Sequence, residues 1–163
     1  MRVLEGSLAG AGLRVSLVAS RFNETVVGQL VEGAHRALRQ HGVGAAEIEL
    51  VWVPGCLEIP VAAAELIERG GLDALVALGA VIRGETPHFD YVAAAVSSGI
   101  ADLARQTRVP IGFGVLTVNS VLQAQERAGG KLGNKGYEAA QTALEMVSVL
   151  GQLRQQGTGL GPG

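Results

Sequence analysis

The chain has 163 residues, thirteen basic and fifteen acidic, for a net charge of −2. At roughly 150 residues per domain this is the size of one domain, large enough to hold a core without disulfides or metals. Hydrophobic residues at 48% and charged residues at 17% exclude a disordered tail protein. The charge balance excludes a nucleic-acid binder working through bulk basicity and gives no pull toward an anionic membrane.

Taken in chain order, Val3 to Leu8 has strand character, but no helical pattern separates it from the next run, Arg14 to Ser20. Glu24 to Gln40 then places Val27, Leu30, Val31, Ala34 and Leu38 at helical spacing. Ile48 to Val53 reads as a strand and Ile59 to Glu68 as a helix. Ala74 to Ile82 is apolar nearly throughout, which suits a strand covered on both faces. His88 to Gln106 is a long helix pattern, Ile111 to Val118 a fourth strand, and Val121 to Ala128 and Tyr137 to Leu153 are two closing helices. Strands alternating with helices predict right-handed βαβ units around a parallel sheet, within one α/β domain over residues 1–156. The glycine-rich end, residues 157–163, reads as a disordered tail.

Residues 1–10 place Glu5 and two glycines where a signal peptide needs its apolar stretch, and no run reaches the length of a membrane span. The single cysteine, Cys56, permits no internal disulfide and no zinc ligand set. The expectation is a cytoplasmic protein. Lysine occurs only at positions 131 and 135, from an arginine-favouring composition or from a need for a compact ammonium group.

In an open parallel sheet, ligands bind beyond the carboxyl ends of the strands, so the four strand-to-helix turns are the segments to inspect. In the third, Thr86 before Pro87 reads as an N-cap followed by a proline in the first helical position. Gly84 lets the backbone approach a ligand, and the exposed N–H groups favour an anion. His88 falls in the first helical turn, where the positive end of the helix favours a neutral ring able to accept a proton; it could equally be an ordinary polar residue there. Phe22, in the first turn, either stacks on a flat heterocycle or plugs the end of the core. Glu58 either serves the helix dipole or accepts hydrogen bonds from sugar-like hydroxyls. Cys56 sits near a helix start as a nucleophile would, but no base accompanies it, and a small packed side chain is the simpler reading. Arg127 and Lys135, near the end of the fourth helix and in the link after it, normally would only complement a dipole.

Six motifs occur in order. They are Arg21-Phe22-Asn23, Val53-Pro54-Gly55 with Glu58-Ile59-Pro60, Gly79 to His88 with Asp90-Tyr91-Val92, Gly114 to Thr117, Gln123-Ala124 with Glu126 to Gly129, and Gly133-Asn134-Lys135-Gly136. Together they resemble the 6,7-dimethyl-8-ribityllumazine synthase family over residues 3 to about 154; the run from Arg83 to Val92 is the most specific. The resemblance implies a flavodoxin-like three-layer α/β/α sandwich with a four-stranded parallel sheet, its N-terminal strand added to a neighbouring subunit's sheet. It implies a transferase without metal or organic cofactor. That enzyme condenses 5-amino-6-(D-ribitylamino)uracil with 3,4-dihydroxy-2-butanone 4-phosphate and releases phosphate and water, the penultimate step of riboflavin synthesis.

By resemblance, Phe22 stacks on the pyrimidine and the segment Cys56, Leu57 and Glu58 binds the ribityl chain. Ala80, Val81 and Ile82 offer backbone bonds to the pyrimidine. Gly84, Glu85 and Thr86 form the phosphate loop with Arg127 as cationic partner, and His88 moves protons. Phe113 enters from a neighbouring subunit, and Lys135 lies at the pyrimidine end. Cys56-Leu57 stands where the family commonly has a small residue and an aromatic one, and Asn119 and Leu122 stand where acidic residues are frequent. The family forms pentamers, many of which assemble into sixty-chain shells. The short link Gly129 to Gly136 predicts a shell of twelve pentamers here, with a pentamer as the alternative. Riboflavin synthase is the protein partner the resemblance suggests. Rival readings are an archaeal-type riboflavin synthase, whose phosphate site would be idle, and a non-catalytic flavin- or lumazine-binding shell protein.

Overall fold

The computed structural model describes residues 1–157. Four strands, β1 (Val15–Ser20), β2 (Ile48–Val53), β3 (Ala74–Ile82) and β4 (Ile111–Val118), form one sheet in the order β2-β1-β3-β4. All pairings are parallel. The connections are α1 (Glu24–Gln40), α2 (Ile59–Arg69) and α3 (His88–Thr107), followed by α4 (Val121–Arg127) and α5 (Lys135–Gly157). The order reverses between β1 and β3, so the helices flanking them leave toward opposite faces. This is a three-layer α/β/α sandwich of flavodoxin-like order.

The two faces of the sheet explain the sequence pattern. Leu17, Ala19, Val76 and Leu78 face α1 and α5, where Leu30, Leu38 and Leu144 meet them without solvent access. Val18, Leu75 and Ala77 face α2 and α3, packed on Ile59, Leu66 and Val96. Each such buried aliphatic side chain contributes roughly 1.5–3 kcal/mol relative to exposure. β3 is flanked by strands on both edges and covered on both faces, and therefore reads as an unbroken apolar run.

Two features go beyond the expected pattern. Val3 to Leu8, expected to join a neighbour's sheet, forms no strand within the single chain. The segment instead lies along α5, with Ser7 N donating to Ser148 Oγ (3.0 Å) and Gln152 Nε2 to the Glu5 carbonyl (2.8 Å). Leu8 and Leu13 pack against the core. A strand needs a pairing edge, and within one chain this segment is offered a helix face instead. Second, the link between the last two helices is a small antiparallel hairpin, β5 (Ala128–Gly130) with β6 (Gly133–Asn134). Gly129 and Gly133 take φ of 106° and 81° there, a region closed to most side chains. Of the tail expected to be disordered, Gly157 ends α5; residues 158–163 lie outside the described residues.

Candidate active site

The first three strand-to-helix turns meet at the carboxyl end of the sheet and are tied to one another. Arg21 N donates to the Val53 carbonyl (2.7 Å) and Phe22 N to the Pro54 carbonyl (3.1 Å), which fixes the first turn on the second. Asn23 precedes α1 in a left-handed conformation, φ 62°, and its Nδ2 donates to the Ala80 carbonyl at the end of β3 (3.1 Å). An asparagine tolerates that conformation better than most residues. Held this way, the Phe22 ring stands 72% exposed rather than plugging the core.

The second turn, Cys56–Glu58, is a single 3-10 turn leading into α2. Cys56 Sγ lies 3.4 Å from Ser20 Oγ, both side chains buried at the carboxyl end of β1. Burial pushes the Cys56 thiol up from its ordinary value near 9.0, the hydrogen bond to Ser20 opposing this in part. A thiol kept protonated is a poor nucleophile, which favours the packing reading of Cys56. Behind it, a Cβ on Gly79 would stand 2.6 Å from Cys56 Sγ and 2.9 Å from Ser20 Oγ, so only glycine fits beneath this pair. Leu57 and Glu58 are exposed.

In the third turn, Gly84, Glu85 and Thr86 are all exposed, and α3 starts at His88. The expected cap at Thr86 is not the one used. Pro87 holds the position before the helix, without a side-chain hydrogen bond, and Asp90 N closes onto the Pro87 carbonyl (3.1 Å). A proline there fixes its own φ near the helical value, so the start needs no hydroxyl. The first amides of α3 have no partner within the helix itself.

These turns enclose a cleft of about 470 Å³. Its lining includes Phe22, Leu57, Glu58, Gly84, Thr86 and His88, together with Cys56 and Ala80 to Ile82. Four sequence-identified residues are not brought in. Glu85 belongs to the loop but does not line the cleft. Phe113 is on edge strand β4, opposite Ala77, well before Ala80 to Ile82 in register, and 42% exposed. Arg127 Nη1 donates to the Gln123 carbonyl (3.0 Å), Lys135 pairs with Glu138 (2.7 Å), and neither lines the cleft. The cleft lining therefore contains no lysine or arginine. Phe89 and Val92, which also line it, were not identified from sequence; their helical spacing on α3 marks them only as one face of a helix.

A model of the 6,7-dimethyl-8-ribityllumazine synthase family matches residues 12–151. The chain belongs to this family. The lumazine synthase match spans all four strands and every turn around the cleft. It supports a transferase role in riboflavin biosynthesis at the level of the family. Among the described residues no group of three or more metal-ligating side chains occurs, and no helix is long and apolar enough to cross a membrane. Asn119 accepts a hydrogen bond from Arg83 Nε (3.0 Å), and Leu122 is exposed on α4.

Proposed function

We propose that this chain condenses 5-amino-6-(D-ribitylamino)uracil with 3,4-dihydroxy-2-butanone 4-phosphate, releasing phosphate and water. The observation that carries this reading is the single cleft joining an exposed aromatic ring, Phe22, to the anion-favouring start of α3 beside His88. Phe22 stacks on the pyrimidine while backbone groups of Ala80, Val81 and Ile82 hydrogen-bond its edge. Cys56, Leu57 and Glu58 hold the ribityl chain. Gly84, Glu85 and Thr86 cradle the phosphate with amides at the helix terminus. His88 accepts and returns protons during imine formation and phosphate loss. An aromatic amine attacking a ketone needs orientation above all, so holding both reactants in one cleft supplies much of the rate. A positioned histidine adds roughly 10²–10⁴-fold, and the reaction calls for no resident metal or organic cofactor.

The absence of a cation from the cleft lining supports a site completed by a second chain. Phe113, Arg127 and Lys135 would then reach a neighbour's cleft, with Arg127 facing the phosphate and Lys135 the pyrimidine. Residues 1–156 act as one domain in a homo-oligomer. The compact hairpin at residues 128–134 favours the shell of twelve pentamers over a free pentamer, and the Val3 to Leu8 segment joins a neighbour's sheet. The place of work is the cytoplasm, with riboflavin synthase taking the product.

The test is to mix purified protein with both substrates and follow lumazine absorbance and phosphate release together. Equal yields of the two support the condensation. Riboflavin formed from lumazine alone would make the protein a riboflavin synthase, and binding without turnover would make it a flavin or lumazine carrier. Light scattering decides the assembly: a mass near five chains in phosphate buffer would overturn the shell.

A further inference from the structure

Arg83 sits immediately before the anion loop, and its surroundings differ from those of the other arginines near the cleft. Its backbone N–H donates to the Val118 carbonyl (2.9 Å), joining the ends of β3 and β4. Its guanidinium lies 4.4 Å from the centroid of the Phe89 ring, and that ring lines the cleft. Nε donates to Asn119 Oδ1 (3.0 Å), and Nη2 approaches Asp90 Oδ1 at 3.4 Å, with both members of the pair well exposed. One partner is therefore neutral. The other is a solvent-exposed carboxylate at the outer edge of hydrogen-bond distance, and an exposed pair of this kind is weak. Lys135 is paired more closely, with Glu138 at 2.7 Å, and Arg127 lies 3.7 Å from Glu126.

We propose that Arg83 is the cation by which this chain itself attracts the phosphate of its substrate, acting from behind the Phe89 ring and tuned by the neutral Asn119. This inference rests on the phosphate-binding reading of the loop given above. The ring separates the guanidinium from the cleft by about one layer of atoms, well within the Debye length of roughly 8 Å at physiological ionic strength. A unit charge at that distance, in a medium between protein and water, changes the affinity for an anion by a factor of several. Arg83 is thus a positioning residue working through the field at the loop; it does not touch the reacting atoms. The Asn119 carbonyl holds the guanidinium in place without neutralising it, which an aspartate at the same position would do.

The experiment measures the inhibition constant of inorganic phosphate, and separately its calorimetric dissociation constant, for the assembled protein and three variants. Arg83→Gln removes the charge, Asn119→Asp keeps the hydrogen bond but neutralises Arg83, and Asp90→Asn frees it further. Expected are a three- to tenfold loss of phosphate affinity for the first two and a gain of about twofold for the third. The Michaelis constant for the pyrimidine should stay unchanged, and the differences should shrink in 0.5 M salt. Asn119→Asp decides between charge and geometry, because a merely structural Arg83 would be held at least as well by an aspartate. Phosphate affinity unchanged in Asn119→Asp would overturn the proposal, even if Arg83→Gln fails to fold. If the wild-type protein forms no lumazine yet the phosphate series follows this order, the reaction assignment falls and the role of Arg83 stands. Normal condensation with a flat phosphate series would have the opposite meaning.

Discussion

The two ends of the sheet use charge in opposite ways. At the amino end, Arg14 pairs with Glu47 at 2.8 Å and Arg69 grips Glu49 through two hydrogen bonds, around a cavity of about 320 Å³ beside β1 and β2. Every charge named there has an opposite partner. At the carboxyl end the cleft holds one carboxylate, Glu58, one imidazole, His88, and no cation. The strand direction accounts for the difference. Parallel strands feed each helix from their carboxyl ends, so that end collects helix starts and turn amides that need outside partners. The amino end only has to hold the sheet against water, and exposed ion pairs suffice.

The contrast is tested most severely by His88→Ala. Turnover should fall by roughly 10–10³-fold with substrate binding nearly intact, because general acid–base help is a partial contribution. An unchanged turnover number would remove His88 from the mechanism.

Gly79→Ala probes the packed floor of the cleft. The new methyl would press on Cys56 Sγ and Ser20 Oγ, neither of which has room to retreat. Overpacking of this kind costs about 1–3 kcal/mol, read as a lower denaturant midpoint at constant slope. A midpoint equal to that of the parent would show that the floor is softer than its geometry.

The same floor has a pH signature. Because burial raises the Cys56 thiol pKa, the folded state holds that proton more tightly than the unfolded chain does. Stability should therefore be full below the ordinary value near 9.0 and should fall as the pH rises above it. Cys56→Ala should flatten that part of the stability curve. A slope that persists in the variant would assign it to another group.

The smallest effect belongs to the amino end. The Arg69 hydrogen bond holds the Glu49 carboxyl below its ordinary value of 4.5, so its contribution is present above that pH and is lost as the pH falls through the lowered one. The pair is exposed, and Glu49→Gln should move the thermal midpoint by no more than about 2 °C and leave turnover unchanged. A large loss of activity would contradict the division of labour between the two ends.

How far the sequence carries depends on whether a feature is local. Residues 74–82 were legible to the residue, because a strand buried on two faces has no choice but to be apolar between its turns; edge strand β4, residues 111–118, was legible from its apolar run between Pro110 and Asn119. His88, Phe22 and Glu58, singled out from their own turns, all line the cleft. Asn23 was not marked as a site residue: its left-handed backbone and its bond to Ala80 depend on a strand more than fifty residues away. The hairpin at 128–134 escaped because its two strands are too short for any periodicity. Val3 to Leu8 forms no strand here for a further reason: the edge it is expected to pair with belongs to a neighbouring chain.

The N-terminal segment has a consequence for synthesis. Its anchors, Ser148 and Gln152, lie 141 and 147 residues from the groups they bind. At roughly 5–20 residues per second, the first dozen residues leave the ribosome many seconds before α5 exists to receive them. From the emergence of β4 until that of α5 they are a free tether on a sheet whose four strands have all been made. Any chain folding alongside therefore meets the tether before its own last helix does, and the order of translation, rather than the final energies, decides which surface it finds first.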